Sequence, residues 1–469
     1  MADRDTKPPG DSAPPDLGPA RAFVPVYSGA DDLDPAHVST KRGFVFQYPP
    51  FSTLDARSDD ILREPRDAGL YVHVPFCGYH CAYCYYAISL DRRPESTAAY
   101  VAAVTREAQL AAEHPRLATH RITTIFFGGG TPTVLAADQL TGLATMLRSS
   151  FDCSGVEEFT VEADPTSVTR ELMEALRAAG VNRVSVGVQS FSTDINRLNE
   201  RQHSEEQSLS AIDEVRAAGI HNLNIDLICG LIGDTAAAWA RTVDRLLEIA
   251  PEHATIYLFS LRPQTRSYHD LELGSLPLPP DEQERVEWLL EVRRRLLDAG
   301  YVQTTPNCFA RAPRFEQIHQ RNAWSSQPLI GVGNSAYSFV DDCVTQNVRP
   351  VPTYIERTAA GKCLLERAAR LNPLEQMIRY CVLRLKLLSI DLADFERRFG
   401  LDLEAVCGPQ LRRLEDSGFI RIDGKRVLLT TSGIVYVDDV CRSLYSVQVR
   451  ERLNNLEPGA ATPLVRSLA

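Results

Sequence analysis

No stretch of about 18 consecutive apolar residues occurs in the 469-residue sequence, so no segment has the character of a membrane-spanning helix. A leader with an apolar core near Met1 is also missing, which argues against secretion. Basic residues are in deficit: 50 Lys and Arg face 61 Asp and Glu, a net charge of −11. Such a chain repels a phosphate backbone unless its basic groups gather on one face, so nucleic acid is not an expected partner. Extremes of composition are absent too. With 44% hydrophobic and 24% charged residues, the chain is neither wholly disordered nor collagen-like nor a coiled coil. A second CxxC motif is lacking, although there are 11 cysteines. An odd count without a leader argues against a disulfide framework and for a reducing cytoplasm.

What is present divides the chain. Residues 1–22, with the run KPPGDSAPPDLGPA, read as a disordered Pro-rich tail, and 23–69 as an arm lying over the body. From residue 70 to about 370, short β-rich runs alternate with amphipathic helical stretches. The runs are 70–74, 122–127, 158–162, 183–187, 222–228 and 254–259; helices are expected at 96–112, 169–179, 204–218 and 236–249. Six βα units in succession predict an α/β fold, a partial (β/α)6 barrel, with its chemistry on the loops after the strand C-termini. Residues 371–450 read as a small C-terminal α+β unit of three helices and a hairpin turning at Asp423-Gly424, like a winged helix. The acidic balance weighs against DNA binding by it. Residues 451–469 are expected to form a flexible tail.

The first strand runs straight into Cys77-Gly-Tyr-His-Cys81-Ala-Tyr-Cys84. Three thiolates on one short loop can face a common centre, one ligand short of a closed tetrahedral zinc site or a saturated four-iron cluster. For zinc, His80 or His73 could be the fourth ligand. For a [4Fe–4S] cluster, one iron stays open to a substrate or cofactor. The other eight cysteines are scattered in mostly apolar settings and read as core residues.

CxxxCxxC after the first strand of a βα barrel, with the lead-in YVHVPFC, resembles the radical S-adenosylmethionine (SAM) superfamily. Within it, the chain resembles the branch of oxygen-independent coproporphyrinogen III oxidase, its related heme chaperone, and the class C methyltransferases and cyclopropane-forming enzymes. The resemblance implies that Cys77, Cys81 and Cys84 hold a [4Fe–4S] cluster and that SAM on the open iron is cleaved to methionine and a 5′-deoxyadenosyl radical. It also implies that Gly129, Gly130 and Thr131, in GGGTP, meet the methionine end of SAM. Glu162 and Arg201 would contact the same molecule, with Arg201 on its carboxylate; by sequence alone, Arg201 reads as a surface charge. Asp226 would bind the ribose, and Tyr71 and Tyr83 would lie beside the cluster. A second SAM is implied near Gln189, Gly130, Phe309 and the GxGxSA-like segment of Gly331 and Gly333.

One departure shapes the functional expectation. Coproporphyrinogen oxidases of the resembled branch carry a further cysteine two positions after the last cluster ligand; here that residue is Tyr86. The leading expectation is therefore a two-SAM enzyme transferring a methyl or methylene group to an sp² carbon of a natural-product intermediate, with Tyr71, Tyr86 and His80 as candidate catalytic groups. The alternative is a porphyrinogen oxidase or another heme-handling protein, including a chaperone. A cytoplasmic monomer with a small-molecule substrate and an external electron donor of flavodoxin or ferredoxin type is expected, with no membrane partner.

Overall fold

The computed structural model describes residues 45, 47–50 and 66–455. The expectations for residues 1–22, most of 23–69 and 456–469 lie outside the described residues. Six parallel strands form the centre: β1 (Asp67–Val74), β2 (Arg121–Gly129), β3 (Glu158–Ala163), β4 (Arg183–Gln189), β5 (Asn222–Cys229) and β6 (His253–Leu258). They are hydrogen-bonded in chain order without a reversal. That order is the barrel type of α/β fold, since a doubly wound sheet reverses at a switch point. Helices α1 (Pro94–Glu113), α2 (Ala137–Ser150), α3 (Arg170–Ala178), α4 (Thr193–Leu198), α5 (Glu205–Ala217) and α6 (Ala236–Ile249) return the chain between strands.

Local signals explain the helix boundaries. Thr169 and Thr235 each accept a backbone N–H at a helix start, and Ser204 forms a capping box with Gln207. Gly180 and Gly219 follow α3 and α5 with positive φ, the backbone region that ends helices.

The two faces of the sheet differ in chemistry. Outward residues such as Phe159, Val161, Val184, Val186, Ile225 and Ile256 are buried against the helices in the main core. Inward positions carry Thr124, Thr160, Glu162, Arg183, Ser185, Asn224, Asp226 and His253 instead. Alternation along the strands puts a polar lining inside the barrel.

The sheet grows beyond the six units. At one edge β7 (Val302–Gln303) and β8 (Cys308–Ala310) extend the sheet, β8 pairing antiparallel with β6 and β7 antiparallel with β8. At the other, β9 (Leu329–Val332) pairs parallel with β1 and is followed by antiparallel β10 (Tyr337–Val340), β11 (Cys343–Asn347) and β12 (Leu365–Arg370).

A second core belongs to the C-terminal part, with helices at Pro373–Leu385, Leu392–Phe399 and Leu403–Asp416 and a three-stranded sheet. Its last helix runs Val447–Asn454, past the expected boundary at 450. Val45 and Tyr48 are buried in this core. Arg379 donates to Gln47 Oε1 and to the Tyr48 carbonyl, and the Tyr48 hydroxyl donates to Glu375. Of the eight other cysteines, Cys229, Cys308, Cys381, Cys407 and Cys441 are buried, while Cys363 is exposed and not a core residue. Among the described residues no helix is long and apolar enough to cross a membrane.

Candidate functional site

The three-cysteine loop leaves the C-terminal end of β1 and is tied down by backbone bonds. Cys77 N–H donates to the Ser89 carbonyl, Ala82 N–H to Asn199, and Cys84 N–H to Cys81. Burial pushes the Cys77 thiol up to about 12 and that of Cys84 to about 11. Donors nonetheless reach the sulfurs: Thr131 Oγ1 lies 3.5 Å from Cys77 Sγ, and Arg201 Nη1 3.4 Å from Cys81 Sγ. Donors aimed at sulfur favour thiolate, the form in which cysteine binds metal. Among the described residues no group of three His, Cys, Asp or Glu side chains converges on a single-ion site. A four-iron cluster takes one thiolate on each iron, and three thiols on one loop, two of them with donors at the sulfur, fit three of its four corners.

Arg201 is not a surface charge. Its side chain is 6% exposed and pairs with Asp164 at 2.6 Å while Nη1 also reaches Tyr83. Tyr79 donates to the same Asp164 carboxylate, which also caps Thr166. Burial raises the Asp164 carboxyl, but Arg201 and these donors outweigh it and leave it below the ordinary range. One guanidinium thus joins the β3 and β4 loops to the cysteine loop.

The glycine loop after β2 has a structural explanation of its own. A Cβ at Gly129, where φ is +113°, would sit 2.4 Å from the His73 ring, and one at Gly130 2.7 Å from the Phe76 carbonyl. Glycine is required for β2 to close against the end of β1. Gly129 N–H donates to Glu162 Oε2 at 3.0 Å. Burial, with Asp226 adding to it, pushes the Glu162 carboxyl up to about 7.

Glu162 and Asp226 lie on the inward face of the sheet, as do Tyr71 on β1, stacked on Phe126, and Tyr257 on β6, while Tyr86 follows the last cysteine of the loop. Tyr86 is 59% exposed and stacks on Tyr85 at 4.7 Å. Tyr257, on the inward face of β6, is 40% exposed, which marks the interior as open. Gln189 ends β4 with φ 65°, the left-handed region, and its buried Oε1 has no partner among the described residues. Strain and an orphaned acceptor at a strand end are signatures of a ligand site.

Gly331 and Gly333 lie on and after β9. A Cβ on Gly331 would meet the Tyr337 carbonyl at 2.2 Å, and one on Gly333 the His73 carbonyl at 2.7 Å. The Gly333 N–H is held by Glu107 from α1.

Two expected site residues are placed elsewhere. Phe309 on β8 pairs with the outward Ala254 and is buried in the main core, so it faces the helices; its neighbour Cys308 faces inward beside Thr255. The alternation that puts one inside puts the other out. His80 is exposed and its ring lies 3.3 Å from the Cys84 carbonyl, where it braces the loop. Tyr257, Asn224, Arg183 and His253 were not singled out from sequence; their signal was polar residues at every second position of otherwise apolar strands. A cavity of about 510 Å³ opens at the opposite end of the strands, by Arg177, His221 and Arg314, away from the thiols.

Three thiols at the end of β1, two inward acids and glycine turns at the strand ends form a site at the C-terminal end of the barrel that can hold a cofactor, and similarity to known proteins says of which kind. Residues 71–246 match the radical SAM superfamily and residues 371–436 the HemN C-terminal domain. The chain is 31% identical to the oxygen-independent coproporphyrinogen III oxidase of Bradyrhizobium diazoefficiens over 80% of its own length and 85% of that protein. It is 30% identical to the heme chaperone HemW of Lactococcus lactis, covering 80% and 95%. The structure of the Escherichia coli coproporphyrinogen III oxidase HemN superposes with a TM-score of 0.75 at 25% identity, over 86% of this chain and 96% of that one. The chain therefore belongs to the radical SAM superfamily, in its HemN-like branch. Membership implies a [4Fe–4S] cluster and SAM.

These relatives correct the functional expectation. Relatives about 30% identical over some four-fifths of the chain bear the names coproporphyrinogen III oxidase and heme chaperone, which contradicts the expectation of a C-methyltransferase or cyclopropane-forming enzyme. Tyr86 is a single residue on a solvent-facing loop, whereas the similarity runs along both cores. Tyr71, Tyr86 and His80 were expected as catalytic groups for methyl or methylene transfer, the activity that these relatives contradict.

Proposed function

We propose that this protein is a tetrapyrrole-handling radical SAM enzyme that oxidatively decarboxylates a porphyrinogen. The observation carrying the reading is identity near 30% spanning both cores of the chain to coproporphyrinogen III oxidases. In this reading Cys77, Cys81 and Cys84 hold the cluster, which when bound supplies the electron that splits SAM and so the means of taking hydrogen from an unactivated carbon. Arg201 and Thr131 donate to the sulfurs. Gly129, Gly130 and Gln189 border the methionine end; Glu162 and Asp226 accept hydrogen bonds from the nucleoside. Tyr71, Tyr86 and Tyr257 give the hollow an aromatic wall suited to a large flat ring system. With Phe309 turned into the core, the proposal includes one SAM rather than two. An external one-electron donor that reduces the cluster, a one-electron acceptor that takes the electron left on the substrate as CO₂ departs, and a cytoplasmic setting complete it.

Tyr86 favours a second reading, heme binding without decarboxylation, because it replaces a cysteine carried by the oxidases of the branch. Mass spectrometry after anaerobic incubation of reconstituted protein with SAM, reductant and coproporphyrinogen separates the two. Loss of CO₂ from the substrate supports the oxidase; an unchanged porphyrinogen together with stoichiometric heme uptake supports the second reading and defeats the first.

A further inference from the structure

Beneath the barrel mouth lies a ladder of polar side chains that the cofactor contacts leave unused. Strand register arranges it in layers. Arg183 begins β4 opposite Thr160 and Asn222; Ser185, Asn224 and His253 form the next layer; Asp226 and Thr255 form the one above. Successive inward residues rise about 7 Å per layer, so the ladder climbs from the floor toward the mouth.

The hydrogen bonds run in one direction. Asp226 accepts from Ser185 Oγ at 2.8 Å on one carboxylate oxygen and from Asn224 Nδ2 at 2.9 Å on the other. A carboxylate only accepts, so the amide nitrogen of Asn224 must face it. The same nitrogen donates to Ser185 Oγ at 2.7 Å, leaving the Ser185 hydroxyl hydrogen for Asp226. Asn224 Oδ1 then faces Thr255 Oγ1 at 3.0 Å and His253 Nδ1 at 2.7 Å. Because Oδ1 only accepts, Nδ1 of His253 carries the hydrogen. Arg183 Nη2, 3.4 Å from that nitrogen, is a second donor, so the contact is a charge beside a neutral ring. Burial, reinforced by Arg183, holds the imidazole well below its usual value. Arg183 Nε and Nη1 are buried without a partner among the described residues. Its charge acts through space on the two acids above it, Glu162 and Asp226.

We propose that Arg183, His253, Asn224 and Ser185 are positioning residues that fix the Asp226 carboxylate, from below, as the acceptor for the ribose hydroxyls of SAM. Both oxygens of Asp226 are held on their floor side, so their remaining lone pairs point into the hollow. Removing His253 Nδ1–H leaves Asn224 Oδ1 with Thr255 as its one remaining donor among the described residues, and the orientation of Asp226 loosens. The inference rests on the radical SAM reading of the site.

The test compares two ligands of reconstituted protein. SAM has a ribose; methionine occupies the cluster end alone. Removing the relay with His253→Leu should weaken SAM about tenfold, the equivalent of one oriented hydrogen bond. Methionine affinity, followed through the electron paramagnetic resonance of the reduced cluster, should stay within about twofold. His253→Asn, whose amide nitrogen can occupy the Nδ1 position, should restore SAM binding. Ser185→Ala is a nearly isosteric second variant, should His253→Leu fail to fold, and should weaken SAM alone. Equal losses for SAM and methionine, or unchanged SAM affinity in the folded variants, overturn the relay. A native protein that takes up neither iron nor SAM overturns the underlying reading, and the relay with it, before any substitution is made.

Discussion

Glu162 shows how a site residue and a stabilising residue differ. Burial raises its carboxyl from the ordinary value to about 7, with Asp226 adding to the rise and Arg183 opposing it. The folded protein therefore binds this proton more tightly than the unfolded chain does. Stability from this group is complete below the unfolded value of 4.5 and is lost as pH rises through about 7. Glu162→Gln should raise the thermal midpoint at pH 8, by an amount equivalent to ~1–3 kcal/mol, and change little at pH 5. The same variant should bind SAM more weakly. Equal midpoints at pH 8 would contradict the burial argument. The cysteines permit a plainer test: Cys77→Ala should lose bound iron and all SAM cleavage, measured as iron content and 5′-deoxyadenosine release. Legibility at this scale followed sequence distance. Cys77, Cys81 and Cys84 declare themselves because their geometry is local. Arg201 reads as a surface charge because the groups that bury it, Asp164 and Tyr83, are 37 and 118 residues away.

At the scale of elements, periodicity and caps located the six parallel strands and most of their helices. Polar residues inside the strands did not disturb that, because the outward positions alone carry enough apolar pattern. The strands β9 to β12 were not legible: they pair with β1 and with one another, and nothing local announces those partners. Their loop geometry is exacting. Gly331→Ala places a Cβ where the Tyr337 carbonyl stands, so a backbone shift is required. The expected cost is about 2–4 kcal/mol, visible as a lower urea midpoint. The segment around Tyr48 is another connection invisible in sequence. Tyr48 is fully buried in the C-terminal core, and its hydroxyl is within hydrogen-bond reach of both Glu375 and Ser446. Tyr48→Ala should cost ~3–5 kcal/mol, while Tyr48→Phe, which keeps the ring, should cost about 1–2. A thermal scan that fails to rank the two in this order contradicts the packing described.

For the whole molecule, the absence of membrane-length runs and of net basic charge narrowed the class early, and the resemblance of the CxxxCxxC loop to the radical SAM superfamily is what pointed to radical chemistry. Substrate class was less legible. It depends on the shape of a hollow whose wall comes from β1, the cysteine loop and β6, brought together only by the fold. Tyr86 is one position, whereas four-fifths of the chain is similar to oxidases and heme chaperones. The most direct test of a tetrapyrrole-handling radical SAM enzyme is the yield of 5′-deoxyadenosine from anaerobically reconstituted protein, with reductant and SAM, in the presence and absence of coproporphyrinogen. The expected result is release that rises with coproporphyrinogen, matches CO₂ formed and vanishes in Cys77→Ala. Release that ignores coproporphyrinogen, or that persists without the cysteine, would contradict it.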